Sequence, residues 1–141
     1  MEQYIEFASN HPVLSIGWVS IVLMIAYSFL GSALSKVKEL STHEATLLIN
    51  KNDAVVVDIR QSNEFKKGHI LGAKLLGQEQ QNKADFATLE KSKEKPIIVV
   101  CAMGMTGKRT ANQMLKAGFS QVSILKGGMN SWLSAGLPVS K

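Results

Sequence analysis

Cysteine is almost absent: the 141 residues hold one, Cys101. One thiol can neither close an internal disulfide nor supply a cysteine-based zinc site. Ordinary packing must therefore hold the fold, as suits a reducing compartment. Charge is missing from one end of the chain. From Phe7 to Ser35 no residue carries a formal charge, and only His11 could acquire one. Aromatic residues make up 6% of the chain, and few lie among its scattered lysines (Lys66, Lys67, Lys91, Lys93, Lys95). With no zinc-finger or RNA-binding signature either, nucleic acid is not expected as a partner. No internal repeat and no low-complexity tract occurs.

What the N-terminal part lacks, the rest supplies. All sixteen Lys and Arg lie from Lys36 onward, with nine of the eleven acids, so this part carries seven net positive charges against five for the whole chain. Such a balance suits solubility and an anionic membrane surface.

Residues 13–35 form the expected transmembrane helix, after a short extracytoplasmic leader at 1–12. Val13 to Leu34 reads VLSIGWVSIVLMIAYSFLGSAL. At about 1.5 Å per residue, such a helix covers the roughly 30 Å hydrocarbon core. Trp18 and Tyr27 lie toward its two ends, where aromatic rings favour the interface. A soluble core helix would show a polar face; here only isolated Ser and Gly interrupt. A cleaved signal peptide would need a positive leader and a shorter apolar segment. This leader has two glutamates and no Lys or Arg, although Gly31-Ser32-Ala33 leave cleavage open. Lys36 and Lys38 follow the span, so the positive-inside rule puts the C-terminal domain in the cytoplasm and the leader outside. Gly17, Ser20, Ser28, Gly31 and Ser32 offer a small-residue packing face.

The remaining residues, 36–141, alternate strands with helices. A strand-like lead-in at 36–40 precedes Ser41-Thr42-His43-Glu44, which has the form of a capping box, so a helix is expected from Thr42 to about Ile49, broken by Lys51-Asn52-Asp53. Ala54 to Asp58 is an apolar, β-branched run, as a strand covered on both faces requires. Ser62 is expected to cap a short helix through Phe65. Gly68 and Gly72 bracket a turn into a strand at Ala73 to Leu76. Residues 77–89 give loop plus a short helix near Phe86. Pro96 to Cys101 is the second buried strand, followed by a glycine-containing loop and a helix from Lys108 to Ala117. Val122 to Leu125 is another strand, and Gly127-Gly128 turns into a final helix around Trp132. Such alternation predicts an α/β fold, a mostly parallel sheet of about five strands with helices on both faces.

Ligands of open parallel sheets bind at the carboxyl ends of strands. Cys101 stands at such an end. The loop Ala102-Met103-Gly104-Met105-Thr106-Gly107 can curl its backbone N–H groups inward as an anion nest, and the following helix adds its positive end. Both favour thiolate, the nucleophilic form. A free cysteine is more often a small buried hydrophobe, but one that ends an apolar strand and opens such a loop is better placed for chemistry. A Walker loop is excluded because Ala102 and Arg109 stand where it needs glycine and Ser or Thr. A cysteine phosphatase would need arginine six residues after the cysteine, where Gly107 stands. Asp58 and Arg60 suit an ion pair that fixes a strand-end turn. His69 suits a hydrogen-bonded turn, with no second ligand pattern for a metal. Trp132 is simplest as core.

Several segments together resemble the single-domain rhodanese (sulfurtransferase) family over roughly residues 38–140. They are Val57-Asp58-Ile59-Arg60 with Glu64-Phe65; Gly68-His69-Ile70 with Gly72-Ala73; Val99-Val100-Cys101 with Gly104; Ala117-Gly118-Phe119 with Val122; and Leu125 with Gly127-Gly128, Trp132 and Gly136-Leu137-Pro138. With its N-terminal anchor the chain is similar to a bacterial subtype, the YibN-like proteins. The resemblance implies a three-layer α/β/α domain at the bacterial inner membrane. It implies a thiolate at Cys101 that takes a sulfane sulfur as a persulfide and passes it to a thiol or protein acceptor, a membrane-protein client among the candidates. No cofactor is implied. The amides from Ala102 to Gly107 would hold the persulfide anion. One departure matters: the family loop often has arginine five residues after the cysteine, and here Thr106 stands there. A sulfonate-bearing donor such as thiosulfate loses its cationic clamp. Met103 and Met105 are expected to make the pocket apolar. A persulfide is therefore the expected donor and thiosulfate a poor one. The competing expectation is a non-catalytic module acting as a membrane-bound scaffold.

Overall fold

The computed structural model describes residues 1–33 and 36–141. Leu34 and Ser35, at the end of the expected span, lie outside the described residues, as do the side chains of 31–33, so the Gly31–Ser32 end of the small-residue face does too. The chain divides into two units, Met1–Ser35 and Lys36–Lys141.

The first unit is helical, α1 (Glu2–Asn10) followed by α2 (Pro12–Ala33). Proline opens α2, where its missing N–H removes no helical bond. The window Pro12–Leu30 has a mean hydropathy of 2.2. Large apolar side chains stand exposed on every side of α2, Ile16, Trp18, Leu23 and Phe29 among them. Two serine hydroxyls turn back onto the helix: Ser15 donates to the His11 carbonyl at 3.0 Å and Ser20 to that of Ile16 at 2.8 Å. Back-bonding of this kind satisfies a hydroxyl where no water is at hand. At about 1.5 Å per residue, α2 is long enough to cross a bilayer. It could span a membrane.

The second unit runs β1 (Lys38–Leu40), α3 (Thr42–Asn52), β2 (Val55–Asp58), α4 (Ser62–Lys67), β3 (His69–Ile70), β4 (Lys74–Leu75), α5 (Gln78–Lys83), a 3₁₀ helix (Ala87–Ser92), β5 (Ile97–Val100), α6 (Gly107–Lys116), β6 (Val122–Leu125), α7 (Gly128–Ser134) and β7 (Val139–Ser140). Five strands form one sheet in the order β1-β6-β5-β2-β4, every pair parallel. β5 is central, and all four of its residues are buried. Side chains alternate across a strand, so β5 feeds two cores. Ile97 and Val99 join Val57, Phe86, Ala111 and Met114 on the side of α6 and the 3₁₀ helix. Ile98 and Val100 join Val56, Ala45, Met129 and Trp132 on the side of α3 and α7. Each buried aliphatic contributes about 1.5–3 kcal/mol of transfer free energy, which is why a run with no polar position becomes the central strand. The expected three-layer α/β architecture with its five-stranded sheet is present.

Local differences have local causes. The capping box at Ser41 forms, with its hydroxyl accepting the Glu44 N–H at 3.2 Å and its N–H donating to Glu44 Oε2 at 2.8 Å. α3 then runs three residues past Ile49, because the break is Asp53 alone, in the left-handed region at φ 54°. α4 is capped at Gln61, not Ser62: the Gln61 N–H donates to the Glu64 carboxylate at 3.2 Å. The polar stretch after Gly77 contains a full helix, α5, ahead of the 3₁₀ turn. A second sheet, β3 with β7, pairs antiparallel.

Candidate functional site

β5 delivers Cys101 to the carboxyl end of the central strand, flanked by β2 and β6. Its side chain is recessed, 5% exposed. The loop that follows folds back over the sulfur. The Gly104 N–H donates to Cys101 Sγ at 2.8 Å, and Thr106 and Gly107 add their own donors. Burial pushes the thiol up, but the Thr106 amide, the Thr106 hydroxyl and the amides of Gly107 and Gly104 outweigh it and hold the thiol below its ordinary range. The sulfur thus sits where main-chain dipoles favour its anion.

Two further contacts fix this loop. Gly104 has φ +84°, and a Cβ there would lie 2.9 Å from the Gly127 nitrogen. Beyond it, the start of α7 grips the loop from the other side: Met129 N–H donates to the Cys101 carbonyl at 2.8 Å and Asn130 N–H to that of Ala102 at 3.1 Å. A Cβ on Gly128 would collide with the Cys101 carbonyl oxygen. The Gly127-Gly128 pair therefore lets α7 close against the loop, a role its sequence suggested only as a turn.

Of the loop residues singled out from sequence, Gly104, Thr106 and Gly107 surround the sulfur. Ala102 contributes its carbonyl to α7 rather than an amide to Cys101. Met103 and Met105 project outward, 63% and 82% exposed. A cleft of about 250 Å³ beside the loop is lined by Met105 and Thr106 together with Gln78, Gln81, Asn82, Arg109, Thr110 and Gln113, so Met105 is its one apolar side chain. Arg109 thus faces the space next to Thr106, whereas Lys108 does not line it. The Thr106 hydroxyl is the group that sequence reasoning missed. The sequence marks Thr106 as a loop amide and as the place of a lost arginine, but its hydroxyl, at the helix N-cap, caps no helical N–H and turns to the sulfur instead.

Asp58 and Arg60 lie at the end of β2, with Asp58 in register with Val100. Asp58 is 1% exposed and the Arg60 side chain 9%. Arg60 Nε donates to both carboxylate oxygens at 3.1 Å and Nη2 to Oδ2 at 2.8 Å, and the Arg60 N–H adds a bond to Oδ1 at 2.9 Å. Nη2 also donates to the Gly68 carbonyl at 2.7 Å, tying this turn to the end of α4. His69 stacks on Phe65 at 3.8 Å, with Nδ1 2.8 Å from the Phe65 carbonyl oxygen. Trp132 is core, its indole N–H on the Pro138 carbonyl at 3.0 Å. Among the described residues no group of three His, Cys, Asp or Glu is arranged to hold a metal ion.

The family model for the rhodanese-like domain matches residues 41–135. The chain is 43% identical over 139 residues to the uncharacterized protein YibN of Escherichia coli strain K12, covering 99% of this chain and 97% of that one. It is 36% identical over 98 residues to the thiosulfate sulfurtransferase GlpE of Pseudoalteromonas translucida, covering 70% and 90%. Among solved structures, the Alr3790 protein of Anabaena sp. superposes with a TM-score of 0.62 at 27% identity, over 72% of this chain and 79% of that one.

Proposed function

From the premise that this chain belongs to the rhodanese-like domain family and is related to sulfurtransferases such as GlpE, we propose that it is a membrane-anchored sulfurtransferase carrying sulfane sulfur as a persulfide on Cys101. The observation that carries the reading is the convergence of the Gly104, Thr106 and Gly107 donors on one recessed sulfur. In the proposed cycle the Cys101 thiolate attacks the outer sulfur of a donor persulfide. The donor's S–S bond breaks, its thiolate leaves, and Cys101 becomes the persulfide. An acceptor thiolate then takes the outer sulfur and returns Cys101 to thiolate. The same amides that favour the first anion favour the second, which lies one bond further out.

Thiosulfate is the poorer donor in this account. Its leaving group is sulfite, and the loop that would hold the sulfonate has Thr106 where a cation would serve best. Arg109, one helical turn onward, suits a longer molecule. The α2 helix would hold the domain at the bacterial inner membrane, facing the cytoplasm, against anionic lipid and within reach of a membrane-protein client. A second reading, a catalytically weak scaffold module, draws on the same Thr106.

The test is intact mass of the full-length protein in detergent micelles after incubation with a persulfide donor or thiosulfate. We expect one added sulfur, faster from the persulfide, and none in Cys101→Ser. No added sulfur from any donor would leave only the scaffold reading, and equal loading from thiosulfate would overturn the donor preference.

A further inference from the structure

Resting on the sulfurtransferase reading, we infer that the cleft between α5 and the first turns of α6 is the subsite for the body of a small thiol or persulfide that carries a carboxylate and peptide-like amides, with Arg109 as the residue that selects it.

The cleft begins at the sulfur's own ligand. Thr106, whose hydroxyl reaches Cys101 Sγ, also lines it. Arg109 and Gln113 follow at helical spacings of three and four, which stacks all three on one face of α6. Across from them stand Gln78, Gln81 and Asn82 of α5. Carboxamides can both donate to and accept from a peptide group, a cation takes a carboxylate, and no carboxylate lines the cleft to repel one. Arg109 forms no ion pair among the described residues. The wall is braced rather than soft: Gln81 Nε2 donates to the carbonyls of Ile59 at 3.1 Å and Leu76 at 2.8 Å, which pins α5 to the strand ends and leaves the Gln81 oxygen to accept. Arg109 lies about 4.5 Å along the helix axis from Thr106, and two or three extended residues span at most about 7–11 Å. A molecule of that size can present sulfur at Cys101 and a carboxylate at Arg109 together.

Transfer to such a thiol is a simple exchange. The acceptor thiolate attacks the outer sulfur of the Cys101 persulfide, and the S–S bond to Cys101 breaks with its electron pair left on Sγ. The outer sulfur departs bonded to the acceptor, and no oxidant or reductant is consumed.

Full-length protein in micelles, loaded with sulfur, is offered glutathione or glutathione diethyl ester, which differ in free carboxylates. We expect Arg109→Gln to lower the ratio of kcat/KM for glutathione over the ester about tenfold, the cost of one charge-assisted hydrogen bond. The loss should fall on KM, and Arg109→Lys should recover part of it. A ratio unchanged by Arg109→Gln overturns the inference. Calorimetric titration of Cys101→Ser protein with S-methylglutathione reads the cleft without any sulfur chemistry. Binding weakened by Arg109→Gln supports the subsite even should no sulfur load on Cys101, and absence of binding overturns it.

Discussion

Two neighbouring parallel strands, β2 and β5, each end on a group that can carry negative charge, and they treat it in opposite ways. At the end of β2 the Asp58 carboxylate meets a full positive charge, the Arg60 guanidinium, in a two-pronged pair that also holds Gly68. At the end of β5 the Cys101 sulfur meets, among the described residues, only N–H and O–H dipoles, from Gly104, Thr106 and Gly107. A buried countercharge locks its partner, since neither ion can leave without stranding the other. Dipoles on the main chain stabilise an anion and still leave its outer face free to form a bond. The difference teaches which strand end is scaffold and which can do chemistry, although the two stand side by side.

Removing either anion should separate these roles. Asp58→Ala strands a buried guanidinium, and we expect it to cost about 3–5 kcal/mol in chemical denaturation, with the molecules that remain folded still taking up sulfur. Cys101→Ser should do the reverse, abolishing uptake at little cost in stability. A smaller effect is expected from Gly104→Ala, which forces a side chain into the left-handed region and against the Gly127 amide. It should cost about 1–3 kcal/mol and slow sulfur loading, because the loop must open to admit the methyl group. Thr106→Val keeps the Thr106 amide and deletes only the hydroxyl. Alkylation at neutral pH should slow several-fold, with its pH midpoint moved upward. The smallest effect is on stability against pH. The Cys101 thiol is held lower in the folded than in the unfolded chain, so its contribution is full above the unfolded value and lost as pH falls through the folded one. The stability of the native protein relative to Cys101→Ser should therefore rise with pH across that window.

How much of this was legible in the sequence depended on whether a pattern had apolar residues to show it. The apolar runs Val55–Val57 and Ile97–Val100 announced β2 and β5 because strands buried on both faces carry apolar residues at successive positions. Ser41 and Glu44 announced a cap for a different reason, two polar side chains at the spacing of one turn. By contrast, α5 reads QEQQNK; with no apolar residue it has no periodicity, and its helix is set by Gln81 reaching back to Ile59 and Leu76. β3 and β7 are two residues each, too short for any alternation, and meet only because the fold brings 69–70 beside 139–140. At the site, the cysteine and its loop stood out in the sequence, but the direction of the Thr106 hydroxyl and the grip of α7 on the Cys101 carbonyl are tertiary facts. The Gly127-Gly128 pair was their one trace, visible as a turn but not as a close approach.

The claim on which the chemistry depends is that N–H and O–H dipoles hold this thiol below its ordinary range. The rate of iodoacetamide alkylation of Cys101 in the full-length protein, measured across pH, reports it directly. A midpoint below the free-thiol value of about 8.5 is the result expected; a midpoint at or above it would contradict the account.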